Sequence, residues 1–148
     1  MREETLISFS CFRKSGSKAC HFPARPLHYN DLVSTHGAGE QIKNTVSGWD
    51  RVEAYPHRFG GTEFTIGRRE IGHIHGDQLV DIPFPKKIRD EVVAKGEAEP
   101  HHVLPETGWI SFYIREEKDI QKAIDLLRRS YQIALKQIPK RLVKQGGN

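Results

Sequence analysis

The residues best equipped for chemistry are histidines. His73 and His75 stand one residue apart in the run Glu70-Ile71-Gly72-His73-Ile74-His75-Gly76. On a strand, residues i and i+2 project from the same face. Two imidazoles so placed can share one metal ion or work as a paired acid and base near neutral pH. A metal centre needs a third donor. His102, His101, His57, Glu63 and Asp77 can each offer one, which would complete a facial two-His or three-His site. His101 and His102 are neighbours in a proline-bounded loop, and neighbours on an extended segment point opposite ways. At most one of them should join the site, and His102 is the member assigned to it; a pair of exposed loop histidines is the competing reading. The catalytic candidates are therefore His73, His75 and His102, and the same three are the metal candidates. The spacing leaves three readings open: a metal site, a metal-free histidine cluster, and the solvated face of an antiparallel sheet.

Other residues could line a ligand around these histidines. Pro56-His57-Arg58-Phe59-Gly60-Gly61 reads as a turn. His57 extends the histidine set, and the Arg58 guanidinium forks onto a carboxylate or phosphate. An ordinary glycine turn with a solvated arginine is the competing reading. The segment is not a phosphate loop, because the spacing is wrong and no Lys-Ser/Thr follows. Glu63 adds a carboxylate on the next strand. Trp49 and Trp109 read as core anchors, with Trp109 also a stacking surface. The ligand-binding set is then His57, Arg58, Glu63 and Trp109. Ser111 lacks a G-x-S-x-G context. Cys11 and Cys20, the only cysteines, lie outside the patterned region, so neither a serine nor a thiol nucleophile is expected.

These residues need a frame. Residues 1–36 show no period of 2 or 3.6 and read as an irregular tail. Ala38 to Val46 reads as a short helix closed by Ser47-Gly48, and Arg51 to Tyr55 as a strand. Thr62 to Ile66 and Glu70 to His75 flank Gly67-Arg68-Arg69 as a hairpin. Gln78 to Ile82 follows as a strand. A helix starts at Pro85, carries the stripe Ile88, Val92, Val93 and ends at Gly96. His101 to Leu104 is expected to be a short extended piece, and Trp109 to Ile114 a strong strand. Ile120, Ala123, Ile124, Leu127, Tyr131, Ala134, Leu135 and Ile138 recur at helical steps, predicting a helix from Glu117 to Gln137 stopped by Pro139. The order α-β-β-β-β-α-β-α predicts an α+β fold: an antiparallel sheet of about five strands with helices packed on one face. The domain is expected over residues 37–140, with a basic tail at 141–148.

Several of these runs occur together in one family. They are Pro56 to Phe64, Glu70 to Gly76, Val80-Asp81-Ile82-Pro83-Phe84-Pro85, Glu99-Pro100-His101-His102-Val103-Leu104-Pro105 and Gly108-Trp109-Ile110-Ser111-Phe112. In this order, over roughly residues 48–135, they resemble the luciferase-domain family. That is a group of small bacterial proteins of unknown function, distantly similar to fungal luciferase. Fungal luciferase oxidises a hydroxypyrone luciferin with molecular oxygen. The resemblance implies a small-molecule site at His73, His75 and His102. For an enzyme it implies an oxidoreductase that works without an organic cofactor or with the help of a metal. Fungal luciferase also carries an N-terminal membrane segment, which has no counterpart here. A second likeness, to the double-wing proteins often labelled DNA-binding, rests on the Trp-bearing strand, Ser130-Tyr131 and Lys136-Gln137-Ile138-Pro139-Lys140, and it implies the fold.

Composition narrows the rest. The chain has 148 residues, 36% hydrophobic and 28% charged, which suits one soluble domain. The apolar stretch Leu6 to Phe12 is interrupted by Ser8, Ser10 and Cys11 and falls short of the ~20 residues a membrane span needs. Glu3 and Glu4 stand where a signal peptide would be positive. A cytoplasmic location and no membrane partner are expected. Residues 37–117 hold 10 basic and 14 acidic residues, whereas 118–148 hold 8 basic and 2 acidic, so the basicity belongs to the C-terminal helix and tail and the body is mildly acidic. The leading expectation is a small organic ligand, with a divalent metal as the only cofactor that fits and no motif for an organic one. The alternative is a nucleic-acid-binding module using Arg128, Arg129, Lys136, Lys140, Arg141 and the Arg68-Arg69 tip.

Overall fold

A computed structural model describes residues 35–137. Residues 1–34 and 138–148, which hold both cysteines, Pro139, Lys140 and Arg141, lie outside the described residues. The elements are α1 (Ala38–Ser47), β1 (Glu53–Pro56), β2 (Thr62–Ile66), β3 (Arg69–His75), β4 (Leu79–Pro83), α2 (Lys86–Ala94), β5 (Glu99–Pro100), β6 (Trp109–Tyr113) and α3 (Glu117–Gln137). The strands form one antiparallel sheet in the order β1-β2-β3-β4-β6-β5. This is the α+β architecture that the sequence pattern predicts.

Alternation decides which face is covered. Phe64, Ile74, Val80, Ile82, Ile110 and Phe112 point to one side, where they join Ile42 and Val46 of α1, Val92 of α2 and Ile120, Ala123, Ile124 and Leu127 of α3 in a single core. Each fully buried aliphatic or Phe side chain in this layer contributes about 1.5–3 kcal/mol. The long helix α3 spans the sheet, and its buried positions recur every three or four residues, as its sequence predicts. Trp49 packs against Tyr131 with ring centroids 5.2 Å apart, tying the end of α1 to α3. Gly37, at the start of α1, has no side chain to cap the helix. Asp77, from the turn between β3 and β4, accepts hydrogen bonds from Gly37 N at 3.0 Å and Gly39 N at 2.8 Å instead.

The sheet has six strands rather than about five. The extra strand, β5, pairs only through Glu99↔Ser111 and Pro100↔Ile110. His101 to Leu104, expected to be extended, turns away. Val103 N and Leu104 N both donate to His101 Nδ1 at 3.1 Å, which wraps the backbone around that ring.

A bulge interrupts the β2–β3 hairpin. Phe64 pairs with Gly72 and Thr65 with Glu70, so Ile71 has no partner in the register. The extra residue puts Ile71 into the core, fully buried, and turns Glu70 onto the opposite face. Gly72 sits at φ 150, and a Cβ there would come 2.5 Å from Leu127 Cδ2 and 3.0 Å from the Asp81 carbonyl oxygen. Glycine lets α3 approach the sheet closely at this point.

Candidate functional site

The face that no helix covers carries the polar residues. Register builds a row across it: Glu63 on β2 opposes His73 on β3, His73 opposes Asp81 on β4, and Asp81 opposes Ser111 on β6. Residues directly opposed in an antiparallel pair share a face. His75 lies two residues beyond His73 on that face, and Trp109 two residues before Ser111. The turn after β1 brings in His57, whose ring stacks on His73 at 4.0 Å and 13°. The loop after β5 brings in His101 and His102, stacked on each other at 4.6 Å. Five of the eight histidines in the chain meet here.

Asp81 is the centre, and it is fully buried. Its Oδ1 accepts a hydrogen bond from Ser111 Oγ at 2.6 Å. Its Oδ2 makes no well-aligned hydrogen bond. That atom faces three imidazole nitrogens instead: His73 Nε2 at 3.3 Å, His75 Nε2 at 3.6 Å and His101 Nε2 at 3.7 Å. Burial pushes the Asp81 carboxyl up, but His73 and Ser111 outweigh it and hold the group below its ordinary range. Burial lowers His73, yet the Asp81 and Glu70 carboxylates more than offset this and raise it to about 9. Glu70 Oε1 reaches His73 Nδ1 at 2.5 Å. His75 is lowered, first by burial and then by the charge on His73. His101 is also lowered, first by burial, with Asp81 opposing and the other histidines adding to the effect.

Donor arithmetic fixes two tautomers. The single Ser111 hydroxyl proton goes to the Asp81 carboxylate, so Ser111 Oγ accepts from His102 N at 3.2 Å and from His102 Nδ1 at 3.0 Å. Neutral His102 therefore carries its proton on Nδ1, and Nε2 is its basic nitrogen. His101 is the reverse. Its Nδ1 accepts two backbone N–H groups, so its proton sits on Nε2, toward Asp81.

The turn and loop that carry these histidines also hold exposed apolar residues. Among the described residues the large hydrophobic side chains left exposed are Phe59 (73%), Val103 (66%), Leu104 (49%) and Tyr55 (47%). Phe59 meets His57 edge-on at 5.6 Å. Val103 and Leu104 follow His101 and His102, and Tyr55 opposes Glu63. Trp109, half-buried, lies 5.3 Å from the His73 ring.

The expected residues are thus distributed unevenly. His57, Glu63, His73, His75 and Trp109 come together. His102 lies at the other oxygen of Asp81, with Nδ1 3.7 Å from Oδ1. Arg58 is exposed, with its guanidinium over the Phe59 ring at 4.6 Å. Asp77 is occupied with α1. Asp81, Glu70 and Ser111 were missing from the sequence-based set. A charged or hydroxyl residue inside the apolar runs Val80-Asp81-Ile82 and Ile110-Ser111-Phe112 is the signal that could have found two of them. Of the cations expected to meet nucleic acid, Arg128 lies over Trp49 at 4.2 Å and Arg129 pairs with Glu91 at 3.6 Å. A groove of about 670 Å³ opens between β6 and α3, where Ser111, Phe112, Lys122, Leu126 and Arg129 line it and no histidine does. No described helix is long and apolar enough to cross a membrane.

Comparison with known families gives one match. Residues 68–130 match the family model described as Luciferase domain, the family that the motifs resemble. The matched segment runs from β3 into α3 and contains Glu70, His73, His75, Asp81, His101, His102 and Ser111. No curated protein matches the chain.

Proposed function

With the Luciferase domain match over residues 68–130 as premise, we propose that this chain binds a small organic molecule against the histidine face. The ligand has an apolar body and an anionic or enolisable oxygen. The body rests on Phe59, Val103 and Leu104, and the oxygen faces the imidazole floor. The observation that carries this reading is that the turn and loop which bring His57, His101 and His102 to the histidine face also hold the exposed apolar residues Phe59, Val103 and Leu104. Exposed apolar side chains gathered around a few convergent polar groups are the usual make-up of a ligand site.

The reaction such a site supports is proton abstraction from an acidic C–H or O–H. His102 Nε2 is the base, held in the right tautomer by the Asp81–Ser111–His102 chain. Oxidation of the resulting anion by molecular oxygen is the reaction class to test first.

The test uses two probes, a hydroxypyrone and a catechol, titrated into the untagged chain by calorimetry, with oxygen consumption followed in parallel. Phe59→Ala combined with Leu104→Ala is expected to weaken binding about tenfold or more, since large apolar contacts are each worth over 1.4 kcal/mol when buried. His102→Gln is expected to keep binding and lose turnover. Absence of binding by both probes, or affinity untouched by the Phe59 and Leu104 substitutions, would sink this reading.

A further inference from the structure

We infer that His73, His75 and Asp81 form a two-His-one-carboxylate site for a divalent first-row transition metal ion, bound through both Nε2 atoms and Asp81 Oδ2. Three observations converge on it. The first is spacing. Two ligand atoms at right angles around an ion about 2.1 Å away lie ~3.0 Å apart, and at the tetrahedral angle ~3.4 Å apart. Asp81 Oδ2 lies 3.3 Å from His73 Nε2 and 3.6 Å from His75 Nε2. The two rings stand at 81° to each other, so their lone pairs lie in different planes.

The second observation is the orphaned oxygen. Asp81 Oδ2 is buried with no aligned hydrogen bond, although His73, His75 and His101 Nε2 lie 3.3, 3.6 and 3.7 Å from it. A buried carboxylate oxygen in that state is costly unless a proton or a cation meets it. The third is what holds the far side of each ligand. His73 Nδ1 is bound by Glu70 at 2.5 Å and Asp81 Oδ1 by Ser111 at 2.6 Å. Carboxylate and hydroxyl partners of this kind aim the inner atoms of metal ligands and set their tautomers.

The other histidines do not fit the ion. Neutral His101 carries its proton on Nε2, because Nδ1 accepts two backbone N–H groups. His102 directs Nδ1 at Ser111 and neighbours the other Asp81 oxygen. His57 offers a ring nitrogen within 4.8 Å of ligand atoms of His73 and His75, but its ring stacks on His73 at 4.0 Å and 13°, which turns the two lone pairs into parallel planes rather than toward one ion. The ligand set is therefore His73, His75 and Asp81, in place of His73, His75 and His102. Two imidazoles and one carboxylate suit Fe(II), Mn(II), Co(II) or Zn(II), and they leave three positions of an octahedron open. The inference stands whether or not the chain binds an organic molecule.

The experiment is titration of the chelator-treated, untagged full chain with Co(II), followed by its visible spectrum, and with Zn(II) and anaerobic Fe(II) by calorimetry. The expected result is one ion per chain at micromolar concentration or below. His75→Ala, chosen because this side chain is only partly buried, should weaken binding at least about 100-fold, and Glu70→Gln about 10–100-fold. His102→Ala should bind as the wild type does. Circular dichroism confirms that each variant is folded, and if Asp81→Asn does not fold, His75→Ala decides. Failure of the folded wild type to take up any of the three ions overturns the site, as does unchanged binding by folded His75→Ala. Loss in His102→Ala equal to that in His75→Ala overturns the ligand set. Titration of the organic probes with chelator present reports the ligand reading separately.

Discussion

Asp81 on β4 and Ser111 on β6 oppose each other across the sheet, both fully buried, with Ser111 Oγ donating to Asp81 Oδ1 at 2.6 Å. A polar pair in this setting stabilises the fold only while it is complete, because each member satisfies a group that water cannot reach. It also ties the sheet interior to the site, since the same hydroxyl accepts from His102.

Ser111→Ala should therefore lower stability by about 1–3 kcal/mol, the cost of leaving a buried acceptor without its donor. Ser111→Thr keeps the hydroxyl and should lose less. Urea unfolding checks this: the midpoint should fall with the slope unchanged. A midpoint for Ser111→Ala equal to that of the wild type would mean that Asp81 draws its compensation entirely from the histidines.

Much of the frame was legible because periodicity reports burial. The helix that starts at Glu117 is legible from its apolar steps, and the β2–β3 hairpin from alternation and its turn. The sixth strand was not, because two residues ending in proline carry no period. The site was legible only in part. His73 and His75 announce themselves by spacing, but their partners are set by cross-strand register. Asp81 and Ser111 sit 30 residues apart in the chain. Glu70 reaches His73 only because the bulge at Ile71 turns it, and a strict alternation places it with the core residues. His57 arrives through a turn whose direction local sequence does not specify.

The bulge gives a second prediction. Gly72→Ala places a methyl group 2.5 Å from Leu127 Cδ2, at a φ of 150 that side chains resist. The expected cost is about 1–3 kcal/mol, the range for forcing extra volume into a packed core. Leu127→Ala alone should cost about 2–5 kcal/mol, because this side chain is fully buried. The double variant should cost less than the sum, because the cavity left by Leu127 receives the new methyl. Strict additivity in chemical denaturation would show that the strain at Gly72 comes from its backbone and from the Asp81 carbonyl, not from α3.

A third prediction concerns acid. Asp119 sits in the first turn of α3, where its Oδ2 accepts from Arg115 N at 3.1 Å and Glu116 N at 3.2 Å, and its Oδ1 from Lys122 Nζ at 2.8 Å. Burial pushes its carboxyl up, but Lys122 and the two backbone N–H groups outweigh that and hold it below the ordinary 3.8. A negative charge here also complements the N-terminal end of the helix dipole. Because the folded pKa is depressed, the stability that Asp119 contributes is fully present above its unfolded pKa. It is lost as the pH falls through the lower, folded value. Asp119→Asn should thus be less stable than the wild type at pH 6, with the gap closing as the pH falls below about 4. Thermal midpoints of the two proteins measured from pH 6 to pH 2.5 check this, and taking their difference removes the other titrating groups. A gap that stays constant across that range would mean that Asp119 acts through hydrogen-bond geometry alone, with no contribution from its charge.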